Sequence, residues 1–258
     1  MATFDRRRIP APEDSKPPVY LSTTAGPSRS RGNDELRPLC ESPIFCADVV
    51  IKTGLVTQAN GSAYVEADGV KIACSAFGPR PRPPPFTSTG TLNVEVKFAP
   101  FASQVRRAPL RDTEPVSHAA VLTNLLLPAV HLHLLPKMSV DVHIYVLEGD
   151  SDASVLAAGL SAACVALADA GIPLSGLAVG STVALHGSTA LLDPSGPECT
   201  GADATLTLGA MPALGRATSL HMTGEADLDA VCDMVEAALA GATSAHDAVA
   251  VALFDGVQ

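Results

Sequence analysis

Four cations stand close together in the middle of the chain: Lys97, Arg106, Arg107 and Arg111. A guanidinium is a planar fork of N–H donors matched to phosphate oxygens. A cluster of this kind on a loop can hold a phosphate-bearing chain by its backbone, independently of sequence and with a marked dependence on salt. It can equally be a solvated loop or a salt-bridging patch for a neighbouring protein. No aromatic residue sits among the arginines, so base stacking is not indicated. Arg6, Arg7 and Arg8 near the start pose the same choice between phosphate and an acidic partner surface. Glu148, Asp150 and Asp152 bring three carboxylates into one short turn, which suits a cation, open solvent or a basic partner. His131 and His133 resemble metal ligands in spacing, but two residues apart on a helix they point about 200° from each other. They are therefore expected to be surface or interface side chains. The six cysteines (Cys40, Cys46, Cys74, Cys164, Cys199 and Cys232) contain no C-x-x-C pair, so neither a zinc site nor any other metal is expected. Their spacing is irregular and nothing else looks secreted, which favours a reducing compartment over three disulfides.

These groups sit in an uneven field of charge. Residues 1–111 carry 15 Lys and Arg against 10 Asp and Glu, a net +5, whereas residues 112–258 carry 2 against 17, a net −15. Such blocks give a protein a basic side that meets phosphate and an acidic side that meets a basic neighbour, or simply a solvated acidic face. Hydrophobic residues make up 47% of the chain while Trp is absent, so the core is expected to be closely packed Ala, Val and Leu. No apolar run is expected to be long enough to span a bilayer. The N-terminus shows no hydrophobic stretch of the secretory kind. An intracellular protein without a membrane partner is the expectation.

The elements that position these residues follow from periodicity. Residues 1–34, rich in Pro, Ser, Arg and Gly, read as an extended or partly disordered arm, and 35–258 as one domain. Ala67-Asp68-Gly69 marks a hairpin turn between two strands, and Ala59-Asn60-Gly61 a turn before the first. Prolines make 79–90 a loop. Leu92, Val94 and Val96 alternate with polar residues on a half-buried strand. A helix from His118 to Leu135 is kinked or ended by Pro128, and Val140–Leu147 is another strand. Ala153 to Ala170 is a buried small-residue helix stopped before Gly171. Short strands follow near 177–185, 189–193, 204–210 and 216–222. A helix from Glu225 to Ala240 closes the pattern, with a separate helical or strand-like piece at 245–254. The class is α/β (α+β), mixed sheets packed with helices.

The strings TGLVTQANGSAYVEADGVKIACSAFGPR, NVEVKFAPFA, SVDVHIYVLEGDSDASVLAAGLSAACVALADAGIPL and LLDPSGPECTGADATLTLGAMP occur in this order. Together they resemble the RNase PH-like proteins, specifically the ring subunits of the eukaryotic RNA exosome, over roughly residues 37–240. The arm DRRRIPAPEDSKPPVY resembles that of one ring subunit type. The resemblance implies an RNase PH-like fold. Active members cleave RNA from its 3′ end with inorganic phosphate, a reaction needing arginines for phosphate and acidic groups for magnesium or proton transfer. On this comparison Leu127 stands where an arginine is expected, and Glu148–Ala153 replaces a glycine-paired turn. Asp193 remains of an aspartate pair while its partner position is Cys199.

The resemblance thus implies no catalytic residues, no cofactor and a non-catalytic subunit. Its partners would be other RNase PH-like subunits, paired as heterodimers in a six-subunit ring, together with RNA-binding cap subunits, a hydrolytic nuclease and single-stranded RNA. Related rings guide RNA with loops like this one, so Arg106, Arg107, Arg111 and Lys97 become candidate RNA-binding residues. The implied location is the nucleus, nucleolus and cytoplasm. An active phosphorolytic exoribonuclease and a free-standing RNA-binding scaffold are the alternatives.

Overall fold

The computed structural model describes residues 49–256, apart from 68, 83, 85–86, 104–105, 107–115 and 188. The N-terminal arm therefore lies outside the described residues. Two sheets flank one helix. The first sheet holds β1 (Val49–Thr53), β2 (Gly61–Ala67), β3 (Val70–Pro81), β4 (Thr91–Phe98) and β5 (Met138–Glu148), in the order β1-β2-β3-β5-β4. Its pairs are antiparallel except β4 with β5, which run parallel because α1 (Val116–Leu126) lies in the crossover between them. The second sheet holds β6 (Val179–His186), β7 (Thr189–Leu192), β8 (Ala204–Met211) and β9 (Arg216–Gly224), all antiparallel in the order β7-β6-β8-β9.

Between them runs α2 (Asp152–Asp169). Twelve of its 18 residues are buried, so it has no solvent face to make polar and is Ala-, Gly- and Ser-rich nearly all round. Gly61 of β2 meets it on one side and Gly180 of β6 on the other. A Cβ on Gly61 would lie 2.2 Å from the Ala170 nitrogen just past the helix, and one on Gly180 2.5 Å from the Ala157 backbone. Hydrogen bonds then fix the helix to both sheets. The Ser62 N–H donates to Asp169 Oδ2 at 2.9 Å, the Gly180 N–H to Ser161 Oγ at 3.1 Å, and the Ala178 N–H to Cys164 Sγ at 3.1 Å. The first sheet, α1 and α2 form the larger core. A smaller one lies between the second sheet and α4 (Leu228–Gly256), built around Leu206, Leu208 and Met234.

Several expectations change. β3 continues through Pro79 to Pro81, with Arg80 and Pro81 paired to Ser139 and Met138 beyond a register shift, so the loop starts later than the prolines suggested. The segment after α1 is not one helix: Pro128 leaves a 3-10 turn, Leu127–Ala129, and a second covers Leu132–Leu134. The rings of His131 and His133 therefore meet edge to face, 5.2 Å apart, rather than diverging. The last helix is a single element of 29 residues, not two pieces. Gly241 does not break it; it lets Leu192 approach, since a Cβ there would lie 2.7 Å from Leu192 Cδ1. Thr243 stays helical by donating to the Ala240 carbonyl at 2.6 Å. Two helices, Asp152–Asp169 and Leu228–Phe254, are also long and apolar enough to cross a membrane, contrary to the reading of the apolar runs. The first is 67% buried within the fold. The second packs on the second sheet and exposes Asp229, Asp233, Glu236 and Asp247.

Gly180→Ala is expected to lower the unfolding free energy by about 1–3 kcal/mol, the usual cost of overpacking a contact that cannot move. Gly201→Ala, where the nearest neighbour is the His186 Cε1 at 3.5 Å, should be close to neutral. Urea denaturation checks both, and equal effects would contradict the close-contact account.

Candidate functional site: a polar cleft at the start of the buried helix

The turn from β5 into α2 opens a cleft of about 500 Å³ at the seam between the sheets. Ser151 begins the helix, its Oγ accepting from the Ser154 N–H at 3.1 Å, and Asp152 occupies the first turn. The floor comes from the second sheet, where Thr205 stands opposite Thr223 and Thr207 opposite His221. Leu206 and Leu208 point the other way, into the core under α4, which leaves the intervening threonines for the cleft. Ser117, His118 and Val121 of α1, with Phe98 and Ser103, form one wall; Gly196, Cys199 and Thr200 of α3 (Gly196–Gly201) form the other.

Three carboxylates converge in sequence but not in space. Glu148 bonds Lys71 Nζ at 2.8 Å on the outer face of the first sheet, and this partner holds the Lys71 ammonium above its ordinary pKa. Asp150 Oδ2 accepts from the Gly196 N–H and so ties the β5–α2 turn to α3. Asp152 Oδ1 lies 3.4 Å from His118 Nε2. Among the described residues, no group of three His, Cys, Asp or Glu side chains could hold a metal ion.

The positions singled out from sequence separate in the fold. Cys199 lines the cleft, where burial pushes its thiol above the ordinary value, a contact with Ser151 draws it back and the nearby Asp150 and Glu198 carboxylates push it up again. Asp193, at φ 48, faces a smaller cavity of about 100 Å³ behind the cleft and accepts from Thr182 Oγ1 at 3.4 Å. Leu127 is 42% exposed and lies nine residues beyond His118, roughly 13 Å along the axis at helical rise. It does not line the cleft, so its side chain is not a loss from that site. Lys97 projects from β4 to the side opposite Phe98 and lies 3.5 Å from Glu95, away from the cleft. Arg106 is exposed; Arg107 and Arg111 lie outside the described residues, although the flanking Ser103 and Ser117 both line the cleft.

His118, His221 and the threonine floor were not anticipated. The alternation of Thr205 with Thr207, and of His221 with Thr223, was the available signal. It marks one polar face on each of two neighbouring strands.

The chain matches the 3′ exoribonuclease family, domain 1, over residues 46–173 and the same family's domain 2 over residues 176–241. The exosome complex component MTR3 of Homo sapiens is 36% identical over 241 residues, covering 87% of this chain and 85% of that protein. Exosome complex component mtr3 of Schizosaccharomyces pombe is 34% identical over 225 residues, covering 85% and 84%. Exosome complex component Rrp41 of Pyrobaculum neutrophilum is 32% identical over 231 residues, covering 88% and 89%. Among solved structures, rice Rrp46 aligns with a TM-score of 0.70 at 19% identity, covering 83% of this chain and 98% of that one. The Archaeoglobus fulgidus exosome with RNA bound to the active site aligns with a TM-score of 0.68 at 22% identity, covering 85% and 91%.

Thiol accessibility tests the cleft directly. Among the four cysteines of the described residues, iodoacetamide should alkylate exposed Cys232 first and Cys199 much more slowly, with buried Cys74 and Cys164 reacting only on unfolding. Peptide mapping by mass spectrometry gives the order, and Cys199 reacting as fast as Cys232 would contradict this burial.

Proposed function

The chain belongs to the 3′ exoribonuclease (RNase PH) family across both of its domains, and on that footing we propose that it is a non-catalytic ring subunit of an RNA exosome. The names of its MTR3 relatives support the exosome assignment. The observation that carries the non-catalytic reading is the charge of the cleft. Its described lining includes Asp150 and Asp152 at the start of α2 and no lysine or arginine. The amino end of a helix is ordinarily an anion site; here the protein's own carboxylates stand at it. Phosphate attacking an already anionic RNA backbone needs positive groups where charge accumulates, and Asp150 and Asp152 oppose its entry.

The remaining function is assembly and RNA guidance. Leu220 is 44% exposed on β9, an edge strand, and Leu127 and Leu214, 42% and 46% exposed, sit on the 3-10 turns Leu127–Ala129 and Pro212–Leu214, which contact it. A neighbouring RNase PH-like subunit, paired as a heterodimer within a six-membered ring, would cover such a surface. RNA-binding cap subunits and a separate hydrolytic nuclease complete the proposed assembly, acting on single-stranded RNA in nucleus, nucleolus and cytoplasm. Arg106, Arg107 and Arg111 would guide the RNA by its phosphates. Lys97, on the outer face of the first sheet, is the weaker member of that set.

The purified chain given single-stranded RNA and inorganic phosphate should release no nucleoside diphosphates; steady phosphate-dependent release would establish the active-enzyme alternative instead. Arg106→Glu, Arg107→Glu and Arg111→Glu together should leave assembly intact while weakening RNA binding. The single-strand salt slope, about −0.7 per phosphate neutralised, should become shallower. Filter binding across a salt series measures it. A triple variant that no longer enters the ring would make these arginines interface residues.

A further inference from the structure

The first sheet ends on β1, whose outer edge has no partner strand among the described residues. We infer that this edge receives an extended strand from a partner polypeptide, with apolar side chains at alternate positions and acidic ones between them. The Gly54 N–H donates to the Ser62 carbonyl at 3.1 Å, and hydrogen-bonded positions alternate along an antiparallel pair. Lys52 and Val50 therefore turn their backbone groups towards β2, while Val49, Ile51 and Thr53 turn theirs outwards. No other hydrogen bond takes up those outward groups among the described residues.

A five-residue edge bearing a lysine is ordinarily guarded against pairing. The wall beside this one argues the other way. A groove of about 790 Å³ runs between β1 and the carboxy-terminal half of α4, where Ala248, Val251 and Ala252 line it. Val251 is 60% exposed, and Phe254, one turn further on, is 77% exposed. A guarded edge gains nothing from large apolar side chains held open to water beside it, whereas an added strand covers them.

Charge fixes the pattern of the partner. Val50 and Lys52 point to the open face of the sheet, and Val49 and Ile51 to the core side. Lys52 makes no ion pair among the described residues, so an acidic residue opposite it on the added strand meets an unneutralised cation. The alternate side chains of that strand point to α4. There Asp247, with its side chain 87% exposed, disfavours acid, while Val251 and the alanines favour apolar groups. The edge belongs to the first sheet, apart from the β9 surface, and the inference stands whether or not the chain enters a ring.

The probe is a capped, fluorescently labelled peptide, Thr-Val-Glu-Ile-Glu-Val-Thr, titrated with the full-length chain by anisotropy. Comparison peptides carry lysine in place of both glutamates, or a methyl group on every backbone nitrogen. Saturable binding of the glutamate peptide is expected, with the lysine peptide weaker by roughly fivefold or more and the methylated one unbound. Lys52→Glu, at an exposed position, should reverse the order of the two charged peptides. Val251→Asp should weaken the glutamate peptide, and both variants should keep the circular dichroism melt. In hydrogen exchange resolved by NMR, the amides of Val49, Ile51 and Thr53 should slow on binding. Those of Val50 and Lys52 should change little, because β2 already holds them.

No saturable binding, equal binding of the methylated peptide, or no slowing at Val49, Ile51 and Thr53 would overturn the proposal. Equal binding of the lysine peptide, or an order unmoved by Lys52→Glu, would overturn the charge pattern. Should Lys52→Glu unfold, the three peptides on the unaltered chain and Val251→Asp still decide. Amides already slow without peptide would mean that the chain's own residues fill the edge, or a second copy where sedimentation shows a dimer; either result overturns it. Displacement of the peptide by single-stranded RNA would make the edge a nucleic-acid surface and overturn it too.

Discussion

One helix touching two sheets at backbone distance is the constraint on which the rest of this molecule depends. Gly61 and Gly180 approach α2 so closely that no side chain fits at either contact. The helix answers with alanines, Gly159 and Ser161. Its few polar atoms are spent on the sheets, with Ser161 and Cys164 accepting from β6 and the residue before it, and Asp169 accepting from β2. The two family domains divide at residues 173 and 176, just after this helix, yet α2 packs against strands of both. A helix counted with the first domain is thus also part of the floor on which the second is built.

The position of the cleft follows from the same arrangement. A helix clamped between two sheets exposes its amino end at the seam, where α1, α3, β8 and β9 also arrive. A fold of this design offers a site there irrespective of chemistry, because the helix end brings unpaired N–H groups and the sheets bring side chains from both sides. What the site takes is then decided by a few residues on the turn. In this chain the turn is acidic: Asp152 stands in the first turn of α2, while Asp150 is drawn onto the Gly196 N–H of α3.

The architecture was legible where a single period decided the element. The Asp68-Gly69 hairpin, the alternation in β4 and the small-residue run of α2 all follow from neighbouring residues. Errors fell where a distant contact outweighed a local signal. Gly241 and Thr243 look like a break, but Leu192 on β7 needs the glycine and a backbone carbonyl satisfies the threonine. His131 and His133 were placed by helical geometry that Pro128 had already ended. The cleft itself was the least legible part, because Phe98, His118, Asp152, Cys199 and His221 meet only after both sheets have formed. Leu127 shows the reverse case, a position singled out by pattern that the fold carries away from the site.

The last helix reaches further back than any other element. Its amino-terminal half lies on the second sheet, while Ala245, Val249 and Leu253 in its carboxy-terminal half join the larger core, and Val251 and Ala252 border a groove with β1. The outermost strand of the first sheet is therefore supported by residues translated long after it. Until they emerge, Val49 and Ile51 have β2 on one side but lack part of the apolar cover they have when folded. A nascent chain thus carries an incompletely covered strand from the time β1 is made until α4 follows, the kind of surface that invites mispairing.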